Sequence, residues 1–143
     1  MITQDVNISR CDWVVHLYYS VSRPSDVDEV LDNLSLIDCP QAIIRRARKT
    51  LSMADFDTGI TFTNSSLRET VIVVREASSP AEFFNSITHE SRHLEAHIAK
   101  ALGLDPFGEE ICYIAGEFAK SIYPLTKLFL CDGGSCQNQV ESS

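Results

Sequence analysis

The chain has no apolar run approaching the ~20 residues that a membrane span needs. It is also poor in positive charge, with 12 Lys and Arg against 20 Asp and Glu and a net charge of −8. The first shortage excludes a membrane-spanning helix as a reading of the sequence. The second argues against a nucleic-acid or acidic-membrane partner, because phosphate binding draws on clustered Lys and Arg. The one basic cluster, RRARK from Arg45 to Lys49, lies in a helical pattern with Ile43, Ile44 and Leu51 and reads as a solvated helix face. Repeats and low-complexity runs are absent. Glycine and proline are scarce, at six and five residues. With 44% hydrophobic and 22% charged residues in 143 positions, the composition is that of one globular domain with a core of its own.

The opening MITQDVNISRCD has no basic segment followed by an apolar run, so no secretory leader is expected. Five cysteines, an odd number, then point to reduced thiols and a cytoplasmic location. Cys131 and Cys136 bracket Asp-Gly-Gly-Ser, but no second cysteine pair exists to complete a zinc ribbon. Residues 131–143 are therefore expected to be a flexible tail with free thiols, following a domain over residues 1–130.

Trp13-Val-Val-His-Leu-Tyr-Tyr-Ser-Val21 is β-branched and aromatic and reads as a strand, broken by Arg23-Pro24-Ser25. Residues 26–37 carry apolar side chains at helical spacing, with acids early where the helix dipole favours them. Asp38-Cys39-Pro40 reads as the start of a second helix over residues 41–51. Gly59–Asn64 and residues 70–75 read as two strands, and Asn64-Ser65-Ser66 between them as a hairpin turn. Ser79-Pro80-Ala81-Glu82 has the form of a capping box with proline at the first helical position. Phe83, Phe84, Ile87, Leu94, Ile98 and Ala101 then make one apolar stripe that Gly103 ends. A further helix is expected from Asp105-Pro106, burying Ile111, Cys112, Ala115, Phe118, Ala119 and Ile122, with Pro124 kinking or ending it. The fold class is α+β: helices, a small sheet, then a helical hairpin.

Within the capped helix lies His89-Glu90-Ser91-Arg92-His93. Zinc hydrolysis needs two neutral imidazoles on one side of the ion and a carboxylate near its water, and a helix supplies this with His at i and i+4 and Glu at i+1. His89 and His93 stack one turn apart, roughly 145° from the centre of the apolar stripe. They are the candidate metal ligands, and Glu90 is the candidate general base. A short motif of this kind also arises by chance, and an ordinary polar helix face is the competing reading. A catalytic zinc needs a third protein ligand. His97 sits ~6 Å further along the axis, beyond His93, and reads as a supporting or surface residue. His16, in the first strand, reads as a packed or edge residue. Acids of the following helix remain: Glu110 and Glu117 flank its apolar stripe, Glu109 points further away, and helical geometry leaves the three open.

These residues resemble the gluzincin branch of zinc metallopeptidases, in which HExxH sits on one helix and a Glu on the next completes the site. Ser86 to Gly116 is similar to short zincin-like proteins of tailed phages and prophages, which pair an HExxH helix with an acidic-aromatic segment like Glu109-Glu110-Ile111-Cys112-Tyr113. Matched position by position, the resemblance implies Glu109 as third ligand, Cys112 as the small residue and Tyr113 as its supporter, with Glu110 and Glu117 next in line. Arg92 and Glu95 depart from the usual zincin pattern, which has an uncharged and an apolar residue there. The resemblance implies Zn²⁺, a peptide or protein substrate, and a strand edge, Gly59–Asn64 or residues 70–75, on which extended substrate docks. It equally accommodates a zincin-like module that binds metal or a partner without catalysis.

Overall fold

A computed structural model describes residues 1–53 and 57–131. Its strands are β1 (Ile2–Ile8), β2 (Trp13–Val21), β3 (Gly59–Asn64) and β4 (Glu69–Arg75), and its helices α1 (Pro24–Leu36), α2 (Gln41–Ser52), α3 (Pro80–Leu102) and α4 (Glu109–Thr126). The class is α+β, as the sequence indicates. The strands form one mixed sheet in the order β1-β2-β4-β3. β1 runs antiparallel to β2, β2 parallel to β4, and β4 antiparallel to β3 as the expected hairpin.

Side-chain alternation along β2 and β4 explains the layering, since successive residues point to opposite faces. Trp13, Val15, Leu17, Tyr19, Ile72 and Val74 face one way and meet Phe83, Ile87, Leu94 and Ile98 of α3 with Ile111, Ile114, Phe118 and Ile122 of α4. Tyr18, Val71 and Val73 face the other way, joined by Val21 after the register shift between Tyr18 and Val21, and meet Val27, Val30, Leu31 and Leu34 of α1 with Ile44, Ala47 and Leu51 of α2. The sheet is thus covered on both sides by a helix pair. The two central strands read as near-continuous hydrophobic runs because both their faces are buried.

Several boundaries differ from expectation. β1 is a strand that the sequence reading left out, and it is half polar because only Val6 and Ile8 of its seven residues are buried. α4 starts at Glu109 behind a Gly108 cap, whereas Asp105 is spent on a turn, accepting from the Phe107 N–H at 2.9 Å. Pro124 does not end α4, which runs to Thr126 and passes into a 3₁₀ turn over Lys127–Phe129. Cys11, Cys39 and Cys112 are free thiols, but Cys131 is disulfide-bonded, which corrects the free thiol expected there. The rest of the expected tail, with Cys136, lies outside the described residues. No helix of the described residues is long and apolar enough to cross a membrane.

Candidate active site

The motif helix is fastened at both ends. Ser79 caps it, its hydroxyl accepting from the Glu82 N–H at 3.1 Å, with Pro80 at the first helical position. Gly103 closes it in the left-handed conformation at φ 66°, where a side chain would be strained. Between these ends α3 lies along β3, the edge strand. Ile60 and Phe62 of β3 pack towards α1 and α2. The alternate residues Gly59, Thr61 and Thr63 face α3, so its long axis meets a polar, small-residue strip.

Three side chains of α3 dock on this edge region. The Ser86 hydroxyl donates to the Asp57 carbonyl at 3.4 Å. Thr61 donates to Glu90 Oε2 at 2.5 Å, and Thr63 Oγ1 meets His97 Nδ1 at 2.8 Å. Glu90 is only 5% exposed, which for a carboxylate is unusual and calls for a partner. Gly59 makes the space it occupies. A Cβ at residue 59 would lie 2.7 Å from Glu90 Oε1 and 2.9 Å from Cδ and Cγ, so only glycine lets the carboxylate lie flat against the strand.

His89 and His93 sit outward from this docked flank and are exposed. Their rings meet edge to face with centroids 4.9 Å apart, and the two Nε2 atoms are 3.2 Å from each other. Two imidazole nitrogens on one tetrahedral ion, each ~2.0–2.1 Å from it, stand about 3.3 Å apart. The pair therefore converges as two ligands of one ion would. The same distance also suits a hydrogen bond between one Nε2–H and one bare Nε2. Glu90 and His93, three residues apart, are neighbours on the helix surface.

The third position is not filled in the same way. Glu110 accepts from Arg10 in a two-pronged pair, Nε to Oε1 at 2.8 Å and Nη2 to Oε2 at 3.2 Å. Glu117 accepts from the Ser9 hydroxyl at 2.5 Å and from the Arg10 backbone N–H. The Ser9 bond, ahead of the Arg10 N–H and charge, holds the Glu117 carboxyl below its ordinary range. Arg10 also lies over the Tyr113 ring at 4.6 Å. The β1–β2 turn thus occupies the face of α4 that carries Glu110, Tyr113 and Glu117. That turn belongs to the opposite side of the sheet from β3, two to three strand spacings away, or on the order of 10–14 Å. Bonding to zinc requires ~2 Å. Glu109, in the first turn of α4, is exposed. Among the described residues no group of three or more His, Cys, Asp or Glu able to hold a metal forms. The donor set fits zinc at His89 and His93 and not at a third protein ligand.

His97 is half-buried rather than a free surface residue. Burial pushes its imidazole below the ordinary range, and the neighbouring His93 and Lys100 act the same way. Its partner Thr63 bonds Thr70 Oγ1 at 2.8 Å, and Thr70 accepts from Trp13 Nε1 at 2.9 Å, so a polar chain runs from the helix into the core. His16 is packed on β2 as expected, between Asp5 at 2.8 Å and Glu69 at 3.0 Å. The four basic side chains of RRARK are exposed, with Arg48 paired to Asp28 at 3.1 Å, while Ala47 is buried.

Sequence reasoning missed Gly59, Thr61 and Thr63 as parts of the site. The alternation in Gly-Ile-Thr-Phe-Thr-Asn was a usable signal, because it places two threonines and a glycine on one strand face. No protein-family model, curated protein or solved structure matches the chain.

Proposed function

We propose that the chain is a zincin-like, zinc-dependent peptidase of the gluzincin pattern, with the ion held by His89 and His93 and Glu90 serving as general base. The observation that carries this reading is the 3.2 Å approach of the two Nε2 atoms, from residues that flank a buried carboxylate on the same helix. When bound, zinc would lower the pKa of a water towards ~7 and polarise a carbonyl. Glu90 is the proton acceptor. Thr61 fixes one carboxylate oxygen, and Gly59 keeps the other close to the strand. Among the described residues β3 has a hydrogen-bonded neighbour on one side, β4, so its other edge offers backbone groups to an extended peptide. Glu109 is the third ligand that the resemblance calls for, and the arrangement of α4 lends that assignment no support.

That no three-residue metal group forms among the described residues favours a second reading, a module of the same shape that binds metal or a partner without catalysis. Elemental analysis of the purified chain separates the two. The peptidase reading expects about one zinc per chain, lost on His89→Ala or His93→Ala, hydrolysis of a peptide library, and Glu90→Gln that keeps the metal and stops the hydrolysis. Metal retained without hydrolysis supports the second reading. A metal-free chain in which His89→Ala changes nothing removes both and leaves a polar helix face.

A further inference from the structure

We propose that the recess where β3 ends beside the last turns of α3 binds the C-terminal carboxylate of a short peptide. The recess has a volume of about 360 Å³ and is lined by Thr63, Ser65, His97, Lys100 and Ala101. That its ligand is a peptide rests on the peptidase reading. That it takes an anion rests on the side chains themselves.

A buried polar chain leads from the core to His97. An indole N–H can only donate, so Trp13 donates to Thr70 Oγ1. Thr70 is completely buried, and its hydroxyl proton finds an acceptor in Thr63 Oγ1. Leaving that proton unbonded in the core would cost the desolvation of the group. Thr63 Oγ1 lies 2.8 Å from His97 Nδ1, and its hydroxyl can donate to that nitrogen. The anion site requires the tautomer in which Nδ1 accepts from Thr63, which leaves Nε2 as an N–H donor on the ring that lines the recess.

Lys100 and Ser65 line the same recess, and they bring an ammonium and a hydroxyl to its wall. No acidic residue lines the recess, and Lys100 makes no hydrogen bond or ion pair among the described residues. A site of two nitrogen donors and a hydroxyl, carrying one positive charge, selects an anion, and a carboxylate accepts from two such donors at once.

Position along the edge argues for a chain terminus. Lys100 lies seven residues beyond His93, about 10 Å along the helix axis. Three residues of extended peptide cover about the same length. β3 stops at Asn64, so a peptide paired with its free edge runs out of partner backbone at the recess. A substrate ending there places its carboxylate on Lys100 and His97, with the bond beside His89 and His93 about three residues before its end.

The test is binding to the chelator-treated full chain, followed by NMR of the Lys100 and His97 side chains. The probes are N-acetylated tetra-alanine with a free carboxylate, its C-terminal amide, and the same amide with one Ala replaced by Glu. The free acid is expected to bind about tenfold more tightly than the plain amide and to move the His97 Nε2–H signal. Lys100 is exposed, so Lys100→Gln leaves the core intact and should erase the preference. Equal binding of acid and amide, binding of none of the three, or a Glu-containing amide matching the free acid overturns the assignment. Because no hydrolysis is read, the outcomes are separable. A free-acid preference in a chain that never binds zinc upholds the recess and not the peptidase. An active peptidase indifferent to the terminus does the reverse.

Discussion

Gly59→Ala is the substitution that most directly interrogates how Glu90 is held. The new Cβ would stand 2.7 Å from Oε1 and 2.9 Å from both Cδ and Cγ, against the 3.4 Å at which ordinary contact begins. Three consecutive atoms are struck, so rotating the carboxylate is not enough. The side chain must retreat by about 0.5–0.7 Å, the shortfall from contact distance. That retreat draws Oε2 away from Thr61, whose hydroxyl now donates at 2.5 Å. A hydrogen bond to a charged group contributes about 1.5–3 kcal/mol. Replacing a strand glycine whose backbone suits alanine returns about 0.5–1 kcal/mol by stiffening the unfolded chain. The single substitution should therefore cost about 1–2 kcal/mol. In a Glu90→Ala background those three atoms are gone, and the same change should stabilise by about 0.5–1 kcal/mol. Urea unfolding of the four proteins, with m-values unchanged, gives the coupling as a double-mutant cycle. If Gly59→Ala shifts stability equally with and without Glu90, the carboxylate is not packed on that strand.

Two further outcomes are expected. His16 is subject to desolvation, which lowers its pKa, but its bonds to Asp5 and Glu69 and their charges outweigh this and raise it above 6.5. A raised folded value means that the charged form stabilises the fold fully below the unfolded value and that this stabilisation is lost as pH rises through the folded one. Urea midpoints measured at pH 5.5 and at pH 8.5 should therefore converge between wild type and His16→Gln at the higher pH and separate at the lower; separation only at the higher pH would reverse the sign. Thr70→Val leaves the Trp13 indole N–H without its acceptor in a fully buried place, at a cost of about 1–3 kcal/mol in the same unfolding assay. A loss of less than about 0.5 kcal/mol would show that the Trp13–Thr70 bond contributes little.

The elements most legible in the sequence were those with strong local signals. β2 and β4 read as strands because both faces are buried and almost every residue is apolar or β-branched. α3 read correctly from Ser79 to Gly103 because its capping chemistry is local. β1 was hidden because an edge strand with two buried residues has too little hydrophobic period to stand out. The start of α4 was misplaced because Asp105-Pro106 suits a turn as well as a cap.

The motif was legible for the same reason as the helix. A spacing of four residues places His89 and His93 together on any α-helix, whatever the rest of the chain does. Which side of α3 faces β3 and which acids of α4 come near it are non-local facts. The strand order puts β1 and β3 at opposite edges, and Arg10, in the β1–β2 turn, takes up Glu110 while its N–H and Ser9 hold Glu117. Local spacing alone thus determined a convergent pair of imidazoles with a carboxylate beside them. Only tertiary packing decided that the carboxylate is buried under a glycine, and that the acids of the next helix are committed elsewhere, because the contacts that hold them, such as Arg10 to Glu110, join residues a hundred apart in the chain.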